Sequence, residues 1–342
     1  MLAEVVPPPS IGVTFVGAMS EAVEPQAEAR PRLRIPLLNV ALFLATIATT
    51  LEAGASQFPS AAAGTPWEAV ASGIPYMAAL LSILLCHEMG HYIAARAYGV
   101  DSTLPFFIPI PYVGIGTLGA VIRIRSAMPS RRAVIDIGAA GPIAGFVVAV
   151  PLLLWGMAHS QVIFVGSAQG GHTESLLDLV QALWQALSAW LHGTPDSPAS
   201  LVRINLGDSL LTWGAARLVK GPIPAGHELA YHPVATAAWF GLFVTTLNLI
   251  PIGQLDGGHV TYALLGQRRA QLLSRFVAVA LLLLGLFLSV NWFFWWLLTR
   301  FLVGSRHPPA LDEAPLDRSR RFLAIAALVL LAITFVPVPV GF

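Results

Sequence analysis

The chain has 342 residues, 56% of them hydrophobic and 11% charged, and its mean hydropathy is +0.72, whereas about a quarter of a soluble domain is charged. An ordinary soluble enzyme is thereby excluded. The formal charge of +1 gives no basis for a nucleic-acid partner, and the single cysteine, Cys86, rules out an intramolecular disulfide. The expectation is an all-α polytopic protein of the lipid bilayer.

Residues 1–34 are polar, rich in proline and glutamate, and end in Arg30-Pro31-Arg32-Leu33-Arg34; they read as a disordered tail. No positive charge precedes the weak apolar patch from Ile11 to Met19, so a cleaved signal peptide is not expected. Residues 35–342 read as one transmembrane domain. It has a core over about 72–270, an extracytoplasmic insert over about 159–232 and C-terminal spans over about 276–340. Apolar runs at about 35–51, 72–98, 133–157, 234–250, 276–303 and 322–340 predict about six spans.

The second run contains His87-Glu88-Met89-Gly90-His91. On a helix His87 and His91 lie four residues apart on one face and can grip a single zinc ion, with Glu88 beside them to handle protons. Ionisable groups at bilayer depth are costly and mark a functional, protein-walled cavity. The bland rival is a pair of buried histidines bonded across helices. Cys86 reads as a packing residue.

In the following loop Pro105, Pro109 and Pro111 forbid a helix, and Gly119 to Arg125 alternates with the two-residue period of a strand. A small membrane-associated β-hairpin or sheet near the active site is expected, with an edge to which substrate adds as a strand. Arg123, Arg125, Arg131 and Arg132 in this loop, and Arg268, Arg269 and Arg275 further on, contrast with a 52–71 loop free of basic residues. The basic loops are therefore expected on the cytoplasmic side. The nine residues from His87 to Arg96 then put the metal about 14 Å below that surface.

The third run carries Gly141-Pro142-Ile143-Ala144-Gly145, read as close helix packing, and Asp136, expected to pair with an arginine. Glu174 to Leu191 in the insert has an amphipathic helical spacing suited to the outer membrane surface. His232-Pro233 opens the fourth run and is expected at the interface, far from the metal.

A catalytic zinc takes three protein ligands and a water, so one more ligand is needed. Past Asn248, Pro251 breaks the fourth helix and Gly257-Gly258 permit unwound backbone, so Asp256 can turn inward. Its rivals are a mere turn-forming role for Asp256 and ligation by His259. The 276–303 run is either one long tilted helix or a hairpin turning near Asn291, with Trp292, Trp295 and Trp296 in the interface.

With these motifs the chain resembles the site-2 protease family of intramembrane zinc metalloproteases. The resemblance covers about 72–270 and rests on the His87 pentapeptide, on Asn-x-x-Pro-x-x-x-x-Asp-Gly at Asn248, Pro251, Asp256 and Gly257, and on the small-residue helix between them. It implies one Zn2+ per chain on His87, His91 and Asp256, Glu88 as catalytic base, and Asn248 holding the scissile peptide or its oxyanion. It also implies transmembrane protein or peptide substrates cut in regulated intramembrane proteolysis, in a type lacking PDZ and CBS domains. The expected setting is a multi-pass protein of a prokaryotic plasma membrane, its active site towards the cytoplasm. Two alternatives differ in kind: a membrane-anchored metalloprotease cutting peripheral or soluble segments, and a non-proteolytic metal-binding membrane protein. The oligomeric state carries no sequence signal.

Overall fold

A computed structural model describes residues 36–59, 65–111, 114–165, 205–303 and 307–341, with isolated positions between 175 and 188. The 1–34 tail and most of the Glu174–Leu191 stretch lie outside the described residues.

In chain order the helices before the insert are α1 (Leu37–Gln57), α2 (Pro66–Ala71), α3 (Ile74–Ala97) and α4 (Arg131–His159). After it come α5 (Leu210–Lys220), α6 (Pro233–Leu249), α7 (Asp256–Leu265), α8 (Gln267–Phe287), α9 (Val290–Leu298) and α10 (Arg318–Thr334). Among the described residues, four helical stretches are long and apolar enough to cross a membrane: Leu37–Gln57, Pro66–Ala97 (α2 running into α3), Arg131–His159 and Gln267–Phe287. Pro233–Leu249 is a shorter apolar helix. These apolar helices make the chain an integral membrane protein.

Helix α4 is the hub. Its N-cap Ser130 accepts from the Ala133 amide at 3.2 Å, and its 29 residues extend roughly 44 Å. Around it pack α3, α5, α6, α7 and α10. Small residues allow the closest approach: a Cβ on Gly90 of α3 would come 2.6 Å from the Ala140 carbonyl oxygen of α4. This is the packing expected where lipid supplies no hydrophobic drive between helices.

Between α3 and α4 runs a hairpin, β1 (Phe106–Pro109) antiparallel to β2 (Thr117–Val121), with Phe106 opposite Val121 and a bulge between Phe107 and Pro109. The strand read from the alternation at 119–125 thus starts earlier, because Thr117 pairs with Pro109. Beyond Val121 the chain stays extended: the Thr103 amide donates to the Arg123 carbonyl at 3.0 Å, and the Arg125 amide to Asp101 at 2.8 Å. Helix α1 anchors the hairpin, Asn39 Nδ2 donating to the carbonyls of Leu104 and Pro105 at 2.9 Å. Two further pairs are β3 (Gln161–Phe164) with β5 (His227–Ala230), and β4 (Asn205–Leu206) with β6 (Val340–Gly341).

Of the two readings of 276–303, the hairpin is the one observed. It turns at Leu288-Ser289, and α9 packs back on α8. Trp292 is not interfacial: it is fully buried, stacked on Phe335, with its ring N–H donating to the Pro337 carbonyl at 2.7 Å. A buried tryptophan needs such a partner.

The segment after residue 306 straps the end of the bundle where α4 begins. The amides of Leu311 and Asp312 donate to the carbonyls of Met128 and Pro129, and Arg131 N–H returns a bond to Asp312. Asp136 has the arginine partner expected of it: Arg320 on α10 donates to its carboxylate at 2.7 and 3.0 Å, and the Tyr98 hydroxyl donates to the same group.

Candidate active site

Helix α3 presents His87, Glu88 and His91 towards α4, α6 and α7, and all three are buried. His91 Nδ1–H donates to the Ile137 carbonyl at 2.7 Å. His87 Nδ1 lies 3.5 Å from Thr245 Oγ1, whose own hydroxyl proton goes to the Gly241 carbonyl at 2.9 Å. Both rings are thus assigned the Nδ1–H tautomer, which leaves the Nε2 lone pairs facing each other's neighbourhood. Partners of this kind fix the orientation of metal-binding histidines.

The third group arrives from the other end of the chain. Helix α6 stops at Leu249, and the backbone folds tightly through Ile250–Leu255, with Gly253 at φ +53°. A Cβ on Gly257 would sit 1.8 Å from the Leu249 carbonyl oxygen, so only glycine lets the turn close this far. Asp256 is thereby set at the first position of α7, with Oδ2 3.2 Å from each histidine Nε2. The two Nε2 atoms are 3.3 Å apart.

That triangle has the dimensions of one face of a small tetrahedron. Four ligands at zinc's bond lengths of about 2.0–2.1 Å lie roughly 3.3–3.4 Å from one another. Among the described residues, His87, His91 and Asp256 form the group whose ligand atoms could hold a metal ion. His259, the rival ligand, is not in that group: its Nδ1 faces His307 Nε2 at 2.5 Å.

The room for these rings is made by α4. A Cβ on Gly141 would fall 2.0 Å from His91 Nε2, and one on Gly145 would fall 3.2 Å from His87. The small-residue motif of α4 is therefore the wall of the site as well as a packing seam. A cavity of about 150 Å³ opens beside the triangle, lined by Glu88, Asn248, His259 and the Ala120–Ile122 stretch among others. Ile122 lines the cavity together with Glu88. Asn248 Nδ2 lies 3.4 Å from His87 Nε2.

Every residue singled out for the site in the sequence, Glu88, Asn248, His87, His91 and Asp256, thus meets at one cavity. His232 does not: it caps α6, accepting from the Val234 amide at 3.3 Å, and packs against Trp155 and His159. Thr245, Ile137 and His307 were not foreseen. Thr245 had a signal, since it lies one helical turn before Asn248. A backbone carbonyl such as that of Ile137, and a histidine 48 positions beyond His259, had none.

Comparison with known proteins places this geometry in a family. The family model described as Peptidase family M50 matches residues 75–291. The probable zinc metalloproteases EGY2 and EGY1, chloroplastic, of Arabidopsis thaliana are 29% and 30% identical over 277 residues, covering 80% and 79% of this chain and 44% of each relative. The probable zinc metalloprotease EGY3, chloroplastic, of Oryza sativa subsp. indica is 29% identical over 339 residues, 92% of this chain and 52% of that protein. The chain therefore spans about half the length of these relatives or less. No solved structure gives a significant match. The chain belongs to peptidase family M50, the family of the site-2 proteases.

Proposed function

We propose that this chain is an intramembrane zinc metalloprotease that hydrolyses peptide bonds of transmembrane substrates. The observation that carries the reading is the triangle of His87 Nε2, His91 Nε2 and Asp256 Oδ2, with edges of 3.2–3.3 Å, in a cavity shared with Glu88. Two neutral imidazoles and a carboxylate suit one zinc ion per chain, and the relatives are named as probable zinc metalloproteases. Zinc held there supplies a water acidified towards a pKa of about 7 and a Lewis acid for the peptide carbonyl.

The protein's own groups do the rest. Glu88 takes the proton of the attacking water on its carboxylate and returns it to the leaving amine. Asn248, at the rim of the triangle, holds the scissile peptide or its oxyanion through its side-chain amide. A helical substrate has its backbone groups already paired, so it must be drawn out as a strand before attack. Strand β2 supports this step, since it pairs with β1 on one side and lines the cavity through Ala120 and Val121.

A base beside the triangle favours a hydrolase over a structural metal site. In this reading 35–342 is a single membrane domain of a prokaryotic plasma membrane, and the basic loops favour a site facing the cytoplasm; the relatives are named as chloroplastic. The reading is tested by incubating purified, reconstituted protein with a panel of single-span peptides. Metal-dependent cuts within the apolar span are expected. Uncut peptides throughout the panel, with full zinc bound, would refute it.

A further inference from the structure

The wall of the catalytic cavity holds one polar group that the chemistry above does not use. His259 lines the cavity from α7, packed so close to α4 that a Cβ on Gly138 would come 2.7 Å from its own Cβ. Behind it stands His307 of the strap, a residue beyond the stretch matched by the family model, which ends at 291. His307 is buried and well fixed. It stacks on Tyr262 at 4.2 Å, its Nδ1–H donates to the Pro308 carbonyl at 2.6 Å, and its own carbonyl accepts from Gln267 Nε2 at 2.8 Å.

These bonds dictate where the protons sit. With its Nδ1–H given to Pro308, His307 presents a bare Nε2, so the proton between the two rings belongs to His259 Nδ1, which donates across 2.5 Å. His259 Nε2 is thereby assigned as an acceptor. It has no hydrogen-bond partner among the described residues, and it stands outside the group that could hold the metal. Nor is it sealed off. The fully shielded side-chain atoms without a partner, among the described residues, are Ser102 Oγ, Gln267 Oε1 and Trp295 Nε1, so the His259 lone pair opens on the cavity that the residue lines.

A bare imidazole nitrogen repels an anion, and one nitrogen is too few ligands for a second metal, so a donor N–H is the partner that suits it. The substrate brings such donors. A peptide drawn out of its helix has N–H groups that have lost their partners, and each one left unpaired in a buried site costs about 1–3 kcal/mol. Strand β2 can take only every other one, because successive residues of a strand turn their N–H groups to opposite sides. We propose that His259 Nε2 accepts a backbone N–H of the substrate beside the scissile bond, with His307 as the positioning residue that fixes its tautomer. The proposal rests on the proteolytic reading above.

The test uses the reconstituted, zinc-loaded full chain and a cleaved single-span substrate in which one peptide N–H at a time, on either side of the scissile bond, is replaced by an ester oxygen. At one position the ester should lower kcat/KM of wild type by roughly 3–10-fold, as expected for one neutral hydrogen bond. The same ester should cost His259→Leu nothing further, since that variant has already lost the bond while keeping its zinc. His259→Gln, whose carboxamide oxygen reaches the place of Nε2, should regain sensitivity to the ester. His307→Phe keeps a ring on Tyr262 but removes the acceptor, so nitrogen NMR of the His259 imidazole should move from the Nδ1–H form towards a mixture and the ester effect should shrink. It also serves should His259→Leu fail to fold. Equal ester effects in wild type and folded His259→Leu, zinc lost from that variant, or a His259 tautomer unchanged by His307→Phe would overturn the proposal and leave the protease standing. Cleavage of no substrate by wild type would overturn both.

Discussion

Gly141 and His91 are in contact so close that a Cβ on the glycine would lie 2.0 Å from His91 Nε2, one of the three candidate ligand atoms. No rotation of the ring relieves this without giving up the 2.7 Å bond from Nδ1 to the Ile137 carbonyl. Gly141→Ala should therefore abolish metal retention, dropping zinc per chain well below half of wild type, and should cost about 1–3 kcal/mol of stability through overpacking. Gly145→Ala, whose Cβ would stand 3.2 Å from His87, should keep most of the zinc. Metal analysis of the two purified variants checks the order, and equal retention by both would contradict it.

A second prediction concerns the clamp at the start of α4. Arg320 reaches from α10 to Asp136 at 2.7 Å, and Tyr98 of α3 donates to the same carboxylate. Asp136 is followed by Ile137, whose carbonyl holds His91, so the clamp fixes α3, α4 and α10 next to the metal site. Arg320→Ala leaves a mostly buried carboxylate without its charge partner and should cost about 1–3 kcal/mol. Arg320→Lys should recover only part, since an ammonium cannot make the forked contact. Thermal unfolding of the reconstituted variants measures both; a melting temperature unchanged in Arg320→Ala would contradict the clamp.

Much of this was legible in the sequence, for definite reasons. The spacing of His87 and His91 carries its own geometry, and Pro251 with Gly257 announces a broken helix that turns Asp256 inward. The apolar runs locate the helices because lipid demands them. The same uniform apolarity hides what lies between them: with no polar face, a run such as 276–303 gives no period from which to read its turn at Leu288-Ser289 or the burial of Trp292. Register is equally hidden, which is why β2 begins at Thr117 rather than Gly119. The partnership of His259 with His307 depends on the strap formed by the segment past residue 306, a tertiary event with no local signature.

The strand beside the site yields a third prediction. Ile122 follows β2 and lines the cavity with Glu88. Ile122→Pro removes a backbone donor from the extended segment offered to the substrate, and such a bond is worth about 0.5–1.5 kcal/mol, so cleavage should slow roughly 2–10-fold with zinc content unchanged. Single-turnover rates with matched metal loading provide the check. Wild-type rates would remove the Ile122 amide from the account.

Metal dependence and pH give a fourth. A zinc chelator should abolish cleavage, and added Zn2+ should restore it. Imidazole binds metal only when its lone pair is free, and histidine ordinarily protonates near about 6.5. Occupancy should therefore be complete above that pH and fall as pH drops below it, never the reverse. Zinc content after equilibration across pH measures the direction; retention that rises on acidification would contradict the histidine ligands.

Substrate helicity separates an intramembrane protease from one that cuts aqueous segments. Glycine or asparagine near the scissile bond lowers the cost of leaving the helix and should speed cleavage, and leucine there should slow it. The most direct measurement is mass-spectrometric mapping of the cut in matched single-span substrates reconstituted with wild type and with Glu88→Gln. The amide variant keeps the shape of Glu88 but cannot take the water's proton. Cuts inside the apolar span are expected, faster in the glycine series, with a rate in Glu88→Gln lower by roughly 10²–10⁴-fold at full zinc occupancy. Equal rates across the series with every cut in the aqueous flank, or full activity in Glu88→Gln, would contradict that expectation.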